Sequence, residues 1–231
     1  MKIEAVIFDL FGTLVDDFAT SVGRQTYIAL AEALEVPYEQ FIPPWRETSE
    51  MRTGGAFQTV EASIEHVCDM IGVRVAPEQM KKAVEIRLQQ TRRALEPRPD
   101  AIPTLTQLKN EGYKVALLSN CSIEIPILWH ETLFAELIDS AIFSSRERLK
   151  KPDPRIYQLA CQRLGVMPEN CLYVADGENY ELASAARVGL HSVLIRNSSR
   201  DNRSELLRES REWRGDVISS LSEICPLVVD E

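Results

Sequence analysis

The chain has 231 residues, of which 45% are hydrophobic and 26% charged, and its formal net charge is −9. That length fits one large domain or two small ones, and the acidic excess argues against nucleic acid as a partner because it would repel a phosphate backbone. No segment approaches the ~18 consecutive apolar residues of a membrane-spanning helix, and the apolar run at residues 3–8 is too short for a signal peptide. We therefore expect a cytoplasmic protein without a membrane partner.

Short β-rich runs alternate with helical patterns from about Asp100 to Leu221. Glycines follow three of the helix-like segments, at Gly112, Gly165 and Gly189, where a left-handed residue ends a helix. This alternation is typical of βαβ units and predicts an α/β fold. We expect a Rossmann-like parallel sheet of about five or more strands with helices on both faces, formed by residues 1–15 and 100–231. The runs that predict strands are residues 3–8, 113–118, 141–143, 171–174 and 192–195. The polar stretch 197–203 is predicted to be a surface loop.

Residues 16–99 have a different character, with no strand-like run and with apolar residues at helical spacing. We expect an inserted α-helical bundle of roughly four helices. Its predicted breaks lie near Pro37, at Pro43-Pro44, at Gly54-Gly55 and between Gly72 and Pro77.

Two strand-like runs each deliver an aspartate to a turn, at Asp9 and at Asp176. Ligands of open α/β sheets bind beyond the carboxyl ends of the strands, so these acids can face each other at one edge. Asp9 is the candidate nucleophile, because a carboxylate can form a covalent intermediate that divides hydrolysis into two steps. Gly12 permits a tight turn after the strand, and Thr13 places a hydroxyl where amide groups can hold an anion.

Further polar residues follow the later strands. Ser119 can donate a hydrogen bond at the end of its strand, and Lys151 adds a charge that stabilises an anionic transition state. Asp176 and Glu181 would join Asp9 as hard oxygen ligands of the kind that magnesium prefers, with Glu178 as the alternative second acid. The five cysteines include no C-x-x-C pair, so neither zinc nor a disulfide framework is expected, and Cys121 is interpreted as a wall residue.

Four ordered segments resemble the motifs of the haloacid dehalogenase superfamily of hydrolases. They are Asp9-Leu10-Phe11-Gly12-Thr13, Leu117-Leu118-Ser119-Asn120, Lys151-Pro152-Asp153-Pro154 and Asp176-Gly177-Glu178-Asn179-Tyr180-Glu181. The resemblance covers residues 1–15 and 100–221, while the insertion at 16–99 is similar to the superfamily's helical cap domain in place and size only.

The resemblance also implies a role for each matched residue. It implies catalytic roles for Asp9, Ser119 and Lys151, and a Mg²⁺ ion at Asp9, Phe11, Asp176 and Glu181, although members usually have Asp where this chain has Glu181. The implied substrate-binding or phosphate-binding residues are Phe11, Gly12, Thr13, Ser119, Asn120 and Lys151.

Phe11 departs from the phosphatases of the superfamily, which usually carry a second Asp there as general acid and base. Such a group raises the reaction rate by ~10²–10⁴-fold, so phosphate ester hydrolysis should be slow unless another group replaces it. The candidate substitutes are Asp16, Asp17, Glu61, Glu65 and His66, and no spacing in the sequence selects one of them. The superfamily's 2-haloacid dehalogenases instead have an aromatic residue at this position, because halide leaves without a proton, but they work without metal and usually have Ser at the position of Asp176.

Three functions therefore remain open. The leading expectation is a slow Mg²⁺-dependent phosphatase of a small metabolite acting through a phosphoaspartyl intermediate at Asp9. The alternatives are a 2-haloacid dehalogenase and a catalytically weak protein that binds phosphorylated ligands. The partner in each case is a small phosphorylated or halogenated molecule, and the chain is either a monomer or a homodimer. Specificity is expected from the insertion, where the candidate pocket residues are Arg24, Trp45, Arg46 and Arg52.

Overall fold

The computed structural model describes residues 2–16, 23–196 and 208–228. The strands are β1 Ala5–Phe8, β2 Lys114–Ser119, β3 Ser140–Phe143, β4 Cys171–Ala175, β5 His191–Ile195 and β6 Asp216–Ile218. The helices are α1 Arg24–Ala33, α2 Tyr38–Glu47, α3 Ser49–Thr53, α4 Val60–Met70, α5 Pro77–Ala94, α6 Ala101–Asn110, α7 Glu124–Leu128, α8 Ser144–Glu147, α9 Pro154–Leu164, α10 Glu181–Val188, α11 Arg208–Glu212 and α12 Ile224–Val228. Short 3₁₀ turns lie at Trp129–Glu131, Pro168–Asn170, Glu178–Tyr180 and Leu221–Glu223.

The sheet has six parallel strands in the order β3-β2-β1-β4-β5-β6. Strand β1 lies between β2 and β4, and Phe8 is paired in register with Leu117 on one side and Val174 on the other. The α/β prediction is confirmed, and β6 is a strand that the sequence patterns did not reveal. Because the strand order reverses at β1, Asp9 leaves the sheet at the point where such folds bind ligands.

Side chains of each central strand alternate between two buried faces. Val6 and Phe8 pack in one apolar cluster with α6 and α12, while Ala5 and Ile7 pack in a second cluster with α9 and α10. Burial on both faces explains why these strands are continuous apolar runs in the sequence. The helices are therefore held on both sides of the sheet.

The three glycines predicted to end helices all have positive φ angles. The values are 88° at Gly112, 62° at Gly165 and 106° at Gly189, a region that residues with a Cβ rarely adopt. Gly165 and Gly189 are the C-terminal caps of α9 and α10. The predicted helix ends are confirmed at these positions.

Helices α1, α2, α4 and α5 surround a third apolar cluster that includes Leu30, Phe41 and Ile64. The prediction of a break at Pro43-Pro44 is wrong, because both prolines lie inside α2. Each proline removes one backbone donor, but burial of Phe41, Ile42 and Trp45 on one face holds the helix together. The additional helix relative to the four predicted is the short α3.

Some sequence predictions lie outside the described residues. These are the surface loop at 197–203 and part of the start of the insertion, including Asp17. The proposed bounds of the insertion, 16–99, thus stay a prediction. Within the described ranges, no helix has both the length and the apolar character needed to cross a membrane.

Candidate active site

The ends of three adjacent strands form the floor of a cleft. Asp9 directly follows β1, Asn120 follows β2, and Asp176 follows β4. A cavity of about 350 Å³ lies between this edge of the sheet and the helices α1, α2, α3 and α5. The expectation that the acids after the first and fourth predicted strand runs meet at one edge is confirmed.

Asp9 is a buried carboxylate held by two donors. Its Oδ1 accepts a hydrogen bond from Lys151 Nζ at 2.5 Å, and its Oδ2 accepts one from the Thr13 hydroxyl at 3.2 Å. Burial raises the pKa of Asp9 to about 6; Lys151 opposes this rise, whereas the charge of Glu181 adds to it. Asp9 is therefore mostly ionised at neutral pH, which is the state required of a nucleophile.

Lys151 lies between two carboxylates. Its Nζ is 2.5 Å from Glu181 Oε2 and 3.2 Å from the hydroxyl of Tyr173, which itself donates to Glu181 Oε2 at 2.7 Å. Burial alone would lower the pKa of Lys151, but Asp9 and Glu181 outweigh it and raise the pKa above its ordinary value. The ammonium group therefore stays charged and offsets the two acids.

Asn120 holds the segment that carries Lys151. Its side-chain amide donates to the Lys151 carbonyl at 2.9 Å, and its Oδ1 accepts from the Lys151 backbone N–H at 2.8 Å. This paired contact fixes the lysine backbone relative to the end of β2. Asn120, predicted to bind substrate, also lines the cleft.

Three acids come together as the sequence predicts. Carboxylate oxygens of Asp9, Asp176 and Glu181 all lie within 4.8 Å of one another, and all three residues are buried. Three hard oxygen donors at this spacing fit a divalent cation such as Mg²⁺.

Glu178, the alternative second acid, instead contributes its backbone N–H, which donates to Asp176 Oδ1 at 3.1 Å and to Glu181 Oε1 at 3.2 Å. Glu178 lines the cleft. Burial raises the pKa of Glu178 to about 7, and the charges of Glu181 and Asp9 add to that rise. Close to neutral pH this group is therefore divided between its protonated and ionised forms.

Other predicted residues occupy supporting positions. Gly12 has a φ of 81°, as its predicted turn requires. Thr13 and Ser119 are fully buried, and neither lines the cleft. Thr13 acts on the site by donating to Asp9, while Ser119 lies at the end of β2 below the cavity surface.

Phe11 and Cys121 line the cleft. Burial raises the pKa of the Cys121 thiol to about 12, so the group is protonated at neutral pH, in keeping with a wall residue. Of the acids and the histidine considered as substitutes for a proton donor, those within the described residues do not line the cavity. No proton donor from that set therefore stands beside Phe11.

The helices α1, α2, α3 and α5 supply a wall of the cleft that the sequence reveals only in part. Trp45 and Arg52, both predicted pocket candidates, line the cleft, whereas Arg24 and Arg46 are exposed and do not. Arg87, which was not predicted, lines it too and pairs through Nε with Glu124 Oε1 at 2.6 Å.

Two features of the sequence could have pointed to residues that were missed. Arg87 lies on the buried stripe of α5, with Ala83 and Thr91, and a charge at such a position indicates a buried partner. Tyr173 was recognised only as part of a strand. Its hydroxyl group, on an otherwise apolar run, is the sign of a polar contact inside the fold.

A comparison with protein families matches residues 3–189 to the haloacid dehalogenase-like hydrolases. The chain belongs to this family. It is 29% identical to (S)-2-haloacid dehalogenase 4A of Burkholderia cepacia, over 98% of this chain and 95% of that protein. It is 34% identical to the glyceraldehyde 3-phosphate phosphatase of Methanopyrus kandleri, but over only 44% of each chain.

A solved structure with the same fold is the 2-haloacid dehalogenase from Pseudomonas syringae. It superposes with a TM-score of 0.71 and 21% identity, covering 98% of this chain and 97% of that one. The hydrolase family predicted from the four motifs is confirmed. Similarity along nearly the whole chain to the Burkholderia dehalogenase favours the dehalogenase alternative over the leading phosphatase expectation.

Proposed function

We propose that the protein hydrolyses a small 2-haloacid by displacement at carbon. The observation that carries this proposal is Phe11, which lines the cleft where a phosphatase of the superfamily would need a proton-transferring acid. An aromatic side chain cannot protonate a leaving group. Halide leaves as a stable anion and needs no proton, so this site matches that reaction without a substitute acid.

The proposed reaction has two steps. An oxygen of the Asp9 carboxylate attacks the carbon that bears the halogen, the new C–O bond forms, and the electron pair of the C–halogen bond leaves with the halide. Water then adds to the Asp9 acyl carbon, which breaks the ester, regenerates the carboxylate and releases the 2-hydroxyacid and one proton.

The contacts of Lys151 support this proposal. Without compensation, Asp9 and Glu181 would repel each other, and the charge of Glu181, which raises the pKa of Asp9, would leave a weak nucleophile. The ammonium group lies 2.5 Å from both carboxylates and offsets that repulsion. Lys151 and Thr13 together orient the Asp9 carboxylate toward the cleft.

Halide release from each enantiomer of 2-chloropropionate, with and without chelator, tests the proposal. We expect release that chelator does not affect and that Asp9→Asn abolishes. In a single turnover in H₂¹⁸O with enzyme in excess, the first product should carry ¹⁶O, because its oxygen comes from Asp9. Absence of release at high enzyme concentration, or ¹⁸O in the first product, would contradict the proposal.

A second candidate is a magnesium-dependent phosphatase, and the trio of Asp9, Asp176 and Glu181 favours it. These side chains would hold Mg²⁺, which would neutralise charge on a bound phosphate. Phe11, assigned to the metal site by the resemblance, has no ligand atom in its side chain and could contribute only its backbone carbonyl. Asp9 would then attack phosphorus and form the phosphoaspartyl intermediate.

Hydrolysis of p-nitrophenyl phosphate, with and without magnesium, tests the second candidate. Metal-dependent turnover that Asp9→Asn abolishes would support it, and an aryl phosphate should react faster than a sugar phosphate because its leaving group needs less protonation. Phosphate binding without either phosphate or halide turnover would instead indicate a binding protein.

A further inference from the structure

We propose that Arg52 and Arg87 form a carboxylate-binding subsite on the wall of the cleft that helices α1, α2, α3 and α5 form, here called the cap wall. This subsite would bind a second carboxylate of the substrate, distant from the reacting atom. The substrate would then be a small dicarboxylic acid. This inference rests on the proposed function only in placing the reacting atom at Asp9. It assigns a role to the wall opposite the catalytic floor.

The first observation is the position and burial of the two guanidinium groups. Arg52 on α3 is 7% exposed and Arg87 on α5 is 3% exposed, yet both line the cavity. A cation that is largely removed from water but borders a cavity interacts strongly with any anion that enters it.

The second observation is the local charge. Arg87 pairs with Glu124, while within the described ranges Arg52 forms no ion pair and donates through Nη1 to the Thr48 hydroxyl at 2.7 Å. Burial lowers the pKa of Arg52 to about 10 and repulsion by Arg87 adds to that fall, with Glu124 opposing it. A carboxylate in the cleft would relieve the repulsion between the two cations.

The third observation is that the guanidinium groups are held in place. The Cζ atoms of Arg52 and Arg87 lie 4.1 and 5.4 Å from the centre of the Trp45 ring. Stacking on this buried ring and the contact with Thr48 restrict the planar forks, which suits paired hydrogen bonds to a carboxylate.

The size of the cavity indicates that this carboxylate is not the one beside the reacting carbon. The cavity has a volume of about 350 Å³, which is roughly ten times the volume that one molecule occupies in liquid water. A propionate-sized acid leaves much of it empty. A longer acid can reach the cap wall with one carboxylate while its other end lies over Asp9.

Binding of unreactive acids to the Asp9→Asn protein tests the subsite. The probes are lactate, malate, 2-hydroxyglutarate and 2-hydroxyadipate, together with analogues of the three dicarboxylates whose distal carboxylate is an amide. Their binding is measured by ligand-observed NMR titration. We expect one dicarboxylate length to bind about 10- to 100-fold more tightly than lactate and than its own amide analogue, the range for charge-assisted hydrogen bonds.

The gain should disappear in Arg52→Gln and persist in Arg46→Gln, which removes an exposed arginine outside the cleft. Arg52→Lys keeps the charge but not the planar guanidinium group, and should retain part of the gain in affinity. This variant replaces Arg52→Gln in the test if the Gln variant does not fold. No gain at any length, equal binding of the amides, or a gain that survives Arg52→Gln would overturn the proposal.

The outcome is separable from that of the halide assay. If dicarboxylate binding is lost in Arg52→Gln but no haloacid releases halide, the subsite is supported and the proposed reaction is contradicted. Halide release from 2-chloropropionate without any gain from a distal carboxylate would do the reverse.

Discussion

Replacement of Glu124 by Gln should destabilise the protein strongly, because it removes one partner of a buried ion pair. Glu124 on α7 is 1% exposed, and its Oε1 accepts from Arg87 Nε on α5 at 2.6 Å. The pair joins α5 to α7, the helix that follows β2. In Glu124→Gln the charge of Arg87 stays buried beside Arg52 and loses the carboxylate that Glu124 supplies.

The size of the effect follows from the burial of the pair. Loss of one partner from a buried ion pair costs about 3–5 kcal/mol. For a chain of this size each kcal/mol lowers Tm by about 2–4 °C, so we expect a fall of roughly 6–20 °C. Gln keeps a carbonyl acceptor for Arg87, which favours the lower part of that range. Thermal unfolding followed by circular dichroism measures it.

The difference in Tm should also depend on pH. Burial would raise the pKa of Glu124, but the charge of Arg87 and hydrogen bonds from Ser122 and Arg87 outweigh it and hold the pKa below its ordinary value of 4.5. A depressed carboxyl pKa stabilises the folded state above the ordinary value, and that stabilisation is lost as pH falls through the folded pKa. The gap between native and variant should thus be full at pH 7 and narrow below pH 4.5.

Glu131→Gln is the matched control, because Glu131 pairs with Arg92 on the same helix α5 but at the surface. Exposed ion pairs contribute little, so its Tm should stay close to the native value at every pH. Equal Tm values for Glu124→Gln and Glu131→Gln, or a gap for Glu124→Gln that is unchanged from pH 7 to pH 4, would refute the reasoning.

Three further variants or reagents test the catalytic floor. Lys151→Met should reduce halide release by at least ~10²-fold, since it removes the charge that offsets the acids, whereas the surface variant Lys109→Met should be near native; similar rates for both would contradict the role of Lys151. Phe11→Asp should raise magnesium-dependent p-nitrophenyl phosphate turnover by ~10²-fold or more if the second candidate function holds, and a folded variant without gain would show that Phe11 is not the block. Iodoacetamide should modify Cys121 far more slowly in the native protein than in urea, because its thiol is buried and protonated, and rapid native alkylation would refute this.

The sheet was largely predictable because its strands are buried on both faces and so leave continuous apolar runs. Strand β6, Asp216–Ile218, has only three residues, of which the first two are exposed, and therefore leaves no such run. The prediction of a helix break at Pro43-Pro44 failed for a different reason. Local preference argues for a break there, but the buried contacts of Phe41 and Trp45 keep α2 continuous.

The candidate site was predictable where chain position alone determines location. Asp9 and Asp176 follow neighbouring strands, so their meeting depends only on the topology of the sheet. Arg87 and Glu124 are 37 residues apart and meet because two helices pack together, a relation that no local pattern carries. Tyr173 contacts Lys151 and Glu181 across the site, and its strand position gives its face but not its partners.

In our proposals, the floor of the cleft carries the chemistry and the opposite wall binds the distal part of the substrate, and kinetics can separate these two roles. On the floor, Lys151 contacts the proposed nucleophile Asp9, so its loss should lower kcat. On the cap wall, Arg52 would contact a distant carboxylate equally in the bound substrate and in the transition state, and loss of such uniform binding raises KM while kcat is unchanged. With a haloacid that carries a distal carboxylate, Arg52→Gln should therefore raise KM by about 10- to 100-fold at nearly constant kcat. A parallel fall in kcat would mean that the arginine acts on the reaction itself, and the division between the walls would then be wrong.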